Sequence, residues 1–187
     1  HVGAHKCEEL KDYLNGGVQS DNIYWVEGQE CLVNNMKNKG IKNIYHALVD
    51  NEDDKEVVFN ISNNGQSSSI LEFGSHSIHH PQVHYISSHK QKTIRLDTLI
   101  EKNNIPINTL NFLNLDIQGV ELRALKSMEK YLEYVNYIYT EVNTEEVYKE
   151  CATISDIDSY LKTFGFERCN AKIHKQFGWG DAFYIKK

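Results

Sequence analysis

Apolar positions along the chain keep two rhythms in turn. Short runs rich in β-branched and aromatic residues alternate with stretches where apolar residues return every three or four positions, the spacing of a buried helix face. Residues 22–27, 41–49, 92–96, 110–115 and 135–142 read as strands. Helices are expected over 6–14, over 30–39 with Gly40 as the stop, and over 98–102 behind Asp97 as cap. Two more are expected after Gly119, where Leu122, Leu125, Met128 and Leu132 recur, and over 154–164 ahead of Gly165. The tail gives two final strands, 166–169 and 182–185, around Gly178-Trp-Gly180. Residues 56–61 form a short β-rich run behind the charged turn 50–55, which suggests a hairpin, and 63–83 is the least regular stretch. Alternating strands and helices predict an α/β three-layer fold around a mostly parallel sheet. Two last strands without a helix between them predict an antiparallel edge.

At 187 residues the chain is most economically one domain, 1–187. A formal net charge of −6 argues against a broad basic face, so no nucleic-acid partner is expected. Cys7, Cys31, Cys151 and Cys169 form no CxxC pair and are expected as free thiols in a reducing compartment, which points to the cytoplasm. No apolar run is long enough to span a membrane, and no membrane segment is expected. The chain opens without methionine, inside what reads as its first strand. Two residues are too short for a strand, so the expectation is a truncated N-terminus and an excised domain.

The opening His1-Val-Gly-Ala-His5 reads as a strand end running into a tight glycine turn, and Glu27 closes the next strand. This is how α/β folds hold a nucleoside. Glycine lets the backbone approach the ligand, and the carboxylate accepts from ribose hydroxyls. Gly3, Ala4, His5, Glu27 and Gly28 are the candidates for that role, with Ala47 and Leu48 as an apolar floor for adenine. A dinucleotide would need G-x-G-x-x-G to seat its pyrophosphate, and Gly3-Ala-His-Lys-Cys7 offers only the first glycine. A nucleoside without phosphates fits better, and S-adenosylmethionine is the common one.

A methyl group carried on such a cofactor needs a nucleophile that is aligned with it and relieved of its proton. Asp116 ends the apolar strand 110–115, where open α/β sheets bind ligands, and is the first catalytic candidate. It and Ile117 are also expected at the cofactor; a helix N-cap is the alternative reading of Asp116. Glu141 ends the next strand at the same edge, and its alternative is a buried acid tying loops together. His76 is a further candidate base in a histidine-rich loop with His79, His80, His84 and His89. Ser68, Ser69, Gln118, Glu121, Trp179 and Asp181 are acceptor-side candidates, offering hydrogen bonds and an aromatic face for sugar C–H groups. Asp116, Glu121 and Glu141 could converge on a divalent cation, which is not favoured. Zinc is disfavoured because adjacent His79 and His80 do not easily face one ion.

Seven short segments, in this order and spacing, resemble the FkbM family of S-adenosylmethionine-dependent methyltransferases. They are His1-Val-Gly-Ala-His5, Trp25-Val-Glu27, Ser67-Ser-Ser-Ile-Leu71, Arg95-Leu-Asp97, Asn114-Leu-Asp-Ile-Gln-Gly-Val-Glu121, Thr140-Glu-Val-Asn143 and Gly178-Trp-Gly-Asp181. The resemblance implies a class I methyltransferase (Rossmann-like) three-layer sandwich: a mostly parallel seven-stranded sheet, an antiparallel last strand, and a small β-hairpin/loop insertion around residues 50–90. It implies O-methylation of a sugar or glycan hydroxyl. The alternatives are an N-methyltransferase, disfavoured by Asp116-Ile-Gln-Gly119 in place of Asn/Asp-Pro-Pro-Tyr, and a non-catalytic nucleoside-binding module. Many members have Asp where His1 stands and a second glycine where Cys7 stands. A parent protein with a linked glycosyltransferase or further methyltransferase domain is the matching expectation for the truncated start.

Overall fold

The computed structural model describes residues 1–187. In chain order the elements are α1 (Leu10–Asn15), β1 (Trp25–Glu27), α2 (Glu30–Asn38), β2 (Ile44–His46), β3 (Leu48–Val49), β4 (Glu56–Ser62), α3 (His76–His79) and β5 (Tyr85–Ile94). There follow α4 (Leu96–Lys102), β6 (Phe112–Leu115), α5 (Glu121–Ser127), β7 (Tyr137–Asn143), α6 (Ile154–Lys162), β8 (Phe166–His174) and β9 (Trp179–Lys186). The alternation is that of an α/β fold.

The expected single seven-stranded, mostly parallel sheet is corrected by the pairing. The strands form three small mixed sheets, in the orders β1-β2, β3-β5-β4 and β6-β7-β9-β8. Half of the six strand pairings are antiparallel, with β9 antiparallel to both of its neighbours. Val2 alone connects the first sheet to the third, through parallel bridges to Val26 and Leu115. Strand three breaks at Ala47 because its two halves have different partners: Ile44–His46 lies along β1, and Leu48–Val49 along the end of β5.

The turn 50–55 does not close a hairpin. β4 pairs antiparallel with β5 across the long connection 63–84. The charged turn instead anchors α4: Asp53 accepts from the Arg95 N–H at 2.8 Å and from the Thr98 hydroxyl at 2.7 Å. Asp97 is not the cap before α4 but lies inside it, held by the Arg95 guanidinium at 2.9 and 3.0 Å. Arg95 also donates to the Ser127 carbonyl at 3.0 Å, which ties α4 to α5. Helix α1 starts at Leu10 rather than Lys6, since the preceding residues are taken up by the glycine turn.

Alternation along each strand divides the core. Trp25 and Ile44 join Val33 and Met36 of α2 in one apolar cluster. Val26 and Leu115 join a larger cluster with α4, α5 and α6, which includes Leu125, Ile138 and Leu161. The three-layer arrangement is complete over β1 and β2. Over β6 and β7 the face carrying Phe112, Tyr137 and Tyr139 stays partly exposed, because helical cover on that side ends with Tyr13 of α1.

Leu115 is fully buried beside the Val2 bridge. Leu115→Ala is expected to cost about 2–5 kcal/mol, read as a lower urea midpoint with an unchanged slope.

Candidate functional site

A cleft of about 470 Å³ opens at the carboxyl ends of β1, β3, β6 and β7, the edge where open α/β sheets bind ligands. Its first wall is the turn after Val2. Gly3 has φ +89°, and a Cβ there would lie 1.7 Å from the Asp116 carbonyl oxygen, so no side chain fits. The N–H groups of Gly3 and Ala4 both donate to the Val26 carbonyl at 2.9 Å. His5 and Cys7 then take positive φ as non-glycine residues, at 42° and 56°.

Glu27 faces this turn. One carboxylate oxygen accepts from the His5 N–H at 2.8 Å and the other from the Gln29 N–H at 2.8 Å. Burial raises its pKa, while those two backbone bonds pull it back toward the ionised form. Gly28, Ala47, Leu48 and Phe59 line the adjoining part of the cleft.

A second wall, next to that turn, is a knot of acids around Gln118. Its amide nitrogen donates to Asp116 at 2.5 Å and to Glu141 at 2.7 Å, and its amide oxygen accepts from the Tyr148 hydroxyl at 2.5 Å. Its carbonyl accepts from the Ser69 hydroxyl at 2.8 Å. Glu141 is held well above the usual carboxylate range by burial and by the nearby Asp116 and Glu121. Burial and the neighbouring acids thus favour its protonated form.

The sequence candidates converge closely. Gly3, Ala4, His5, Glu27, Gly28, Ala47 and Leu48 line the same cleft as Asp116, Ile117, Gln118 and Glu141, with Ser68, Ser69, His76 and Trp179 at its other walls. Glu121 and Asp181 do not line it. Glu121 turns back under its own helix and accepts from the N–H groups of Ile117 and Gly119 at 3.0 and 3.1 Å. Asp181 stands on β9 in register with Glu141, and burial raises its pKa. The hydroxyls of Ser68 and Ser69 are engaged inside the protein, with the Gly65 and Gln118 carbonyls at 2.8 Å each. His1 points away from the cleft, its ring 5.0 Å from Trp25 and its Nδ1 3.0 Å from the Tyr13 hydroxyl. No group of three or more His, Cys, Asp or Glu side chains is arranged to hold a metal ion. Sequence reasoning missed Glu8, Glu9, Gln29, Phe59 and Tyr148, and named His80 only as part of the histidine-rich loop. Only Phe59, on the alternating run 56–61, carried a pattern that could have placed it.

A family model described as the methyltransferase FkbM domain matches residues 1–168. The chain belongs to the FkbM methyltransferase family. The matched span holds every cleft residue named above except Trp179. No curated protein matches the chain. Among solved structures, a magnesium protoporphyrin IX methyltransferase from Synechocystis PCC 6803 with bound SAM aligns at a TM-score of 0.48 and 8% identity, over 100% of this chain and 68% of that one. No helix of this FkbM-family chain is long and apolar enough to cross a membrane.

Burial, with Asp116 close by, raises Glu121 from its usual 4.5 to about 7. The native state then holds this proton at pH values where the unfolded chain has lost it. Stability is full below about 4.5 and falls as pH rises to about 7, by on the order of 3 kcal/mol. Glu121→Gln keeps an oxygen for the Ile117 and Gly119 N–H groups and should flatten most of that fall. Urea melts of both proteins at pH 5 and 7.5 measure it, and an unchanged difference would count against Glu121 as the source.

Proposed function

We propose that this FkbM-family chain is an S-adenosylmethionine-dependent O-methyltransferase acting on a hydroxyl of a sugar or glycan. One observation carries the reading: Glu27 and the Asp116–Gln118–Glu141 knot line a single cleft. A cofactor gripped at one wall would meet an acceptor aligned at the other.

The residues present fit a nucleoside. Each Glu27 oxygen accepts one backbone N–H and keeps capacity to accept a ribose hydroxyl. Ala47, Leu48 and Phe59 offer an apolar bed for adenine. The absent Cβ of Gly3 lets the turn pass close to Asp116, which brings His5 and Ile117 to the same space. When bound, S-adenosylmethionine supplies an electrophilic methyl group on a sulfonium whose departing sulfur is neutral.

Proton handling falls to the acids. Glu141 is biased toward its protonated form by burial and its acidic neighbours, which leaves Asp116 as the carboxylate to accept the proton of an incoming alcohol. Gln118 fixes both carboxyl groups with one amide, which keeps the accepting oxygen aimed without a water in between. Burial pushes His76 down to about 4, so its ring is neutral and only weakly basic at pH 7, a poorer base than the acid pair. Trp179 lines the acceptor side, where an aromatic face suits the C–H groups of a sugar ring.

Calorimetry with S-adenosylmethionine and a methyl-transfer assay on glycans test the reading together. Glu27→Ala should weaken cofactor binding about 10- to 100-fold, the loss of charge-assisted hydrogen bonds. Asp116→Asn should leave affinity within about threefold and cut turnover roughly 10²- to 10⁴-fold. Equal losses in both quantities for Asp116→Asn would move that residue to the cofactor side, and absence of cofactor binding by the unaltered protein would end the proposal.

A further inference from the structure

We propose that the acceptor end of the cleft selects against negative charge and takes an uncharged or amino sugar, with His76 as a buried hydrogen-bond partner for one of its hydroxyls. The inference rests on the methyltransferase reading above and narrows its substrate class.

Five carboxyl groups line the cleft, those of Glu8, Glu9, Glu27, Asp116 and Glu141, and no lysine or arginine does. Lys172, in register with Asp181 on β8, is not among the lining residues. A sugar phosphate, sulfate or uronate would bring an anion into a half-enclosed, low-dielectric space already rich in carboxyl groups, with no lysine or arginine side chain to meet it. A neutral sugar brings hydroxyl donors, which suit carboxylate acceptors. An ammonium suits them better still.

A second, independent observation marks the acceptor end as a place for a ligand. His76 is only 6% exposed, lines the cleft, and its Nδ1 is buried without any hydrogen-bond partner. A buried polar atom of that kind costs stability until a ligand group or water meets it. The ring is held in place: it stacks on Phe73 at 4.4 Å and 8°, and Phe73 stacks on Tyr85 at 4.1 Å and 17°. Its neutrality, caused by burial and then by His80 and His79, means that it offers a hydrogen bond but no positive charge to balance an anion. Trp179, packed against His174 at 4.7 Å, lines the same cleft.

The test is saturation-transfer NMR on the full chain loaded with S-adenosylhomocysteine, using methyl glucoside, glucosamine, glucuronate and glucose 6-phosphate as probes. The first two should bind about tenfold more tightly than the two anions. The double variant Glu8→Lys/Glu9→Lys, which reverses two of the five lining charges, should bring that ratio to within about twofold. His76→Phe keeps the aromatic stack and should weaken methyl glucoside roughly tenfold while leaving S-adenosylhomocysteine affinity unchanged. Binding of either anion as tight as that of methyl glucoside overturns the inference. So does failure of both methyl glucoside and glucosamine to bind the loaded protein. Calorimetry is run first: if S-adenosylhomocysteine itself does not bind, the cofactor reading fails and this inference falls with it.

Discussion

Gly3 and Asp116 come closer than any side chain would allow, and the site depends on that approach. The Val2 backbone is threaded between β1 and β6: its N–H donates to the Asn114 carbonyl and its carbonyl accepts from the Asp116 N–H, both at 2.9 Å. One residue therefore joins two sheets. The next residue must turn away at once, over the Asp116 carbonyl, in a left-handed conformation. That requirement sets the 3–5 turn directly against the 116–119 turn. It also places the His5 N–H where Glu27 can accept it. Two turns that line one cleft are thus set by a single steric constraint.

The 116–121 turn solves a second problem, the crowding of acids. Gln118 and Gly119 take positive φ in succession, at 57° and 102°. For Gln118 this backbone costs on the order of 1 kcal/mol. It folds the Gln118 side chain back between Asp116 and Glu141, and it aims the N–H groups of 117 and 119 at Glu121. A carboxylate satisfied by backbone donors and an amide set between two carboxyl groups are the two devices that let the exposed Asp116 and the buried Glu121 and Glu141 share one rim. Tyr148 and Ser69 hold Gln118 from two further loops, so the rim's geometry is fixed by segments distant in sequence.

The acids of the cleft were legible because apolar runs stop at them. Glu27 follows Trp25-Val, Asp116 follows Phe112-Leu-Asn-Leu, and Glu141 stands two residues before the end of β7, so each falls near the carboxyl end of a strand. Where the strands face water, the pattern fails. β5 carries Ser87, Ser88, Lys90 and Lys92 on exposed positions, so only its last buried stretch read as a strand. β8 was read only over 166–169, although its second half, from Ala171 to His174, is the less exposed part. The β4–β5 pairing escaped notice because its register is set by tertiary contact across a long connection, while the nearer charged turn had an equally good local reading. Glu121 shows another limit. A first-turn acid can face outward to a ligand or back to the loop, and spacing does not distinguish the two.

The motif residues that carry the family resemblance divide between cleft and scaffold, and the division explains the two departures. Arg95 and Asp97 brace α4 against α5, Asn114 donates to the Tyr13 hydroxyl at 2.8 Å, and none of the three lines the cleft. His1 belongs with them. It caps the Tyr13–Asn114 contact and stacks on Trp25, so an acid at that position is not something this cleft requires of its lining. Cys7 keeps the left-handed backbone that glycine would adopt freely, at the cost of a crowded Cβ. That Cβ and its sulfur are buried among Ala4, Trp25, Val33 and Met36, and burial pushes the thiol up to about 12, so it stays protonated and apolar. Burial of the side chain offsets backbone strain of similar size, which is how a bulkier residue can occupy the turn without moving it.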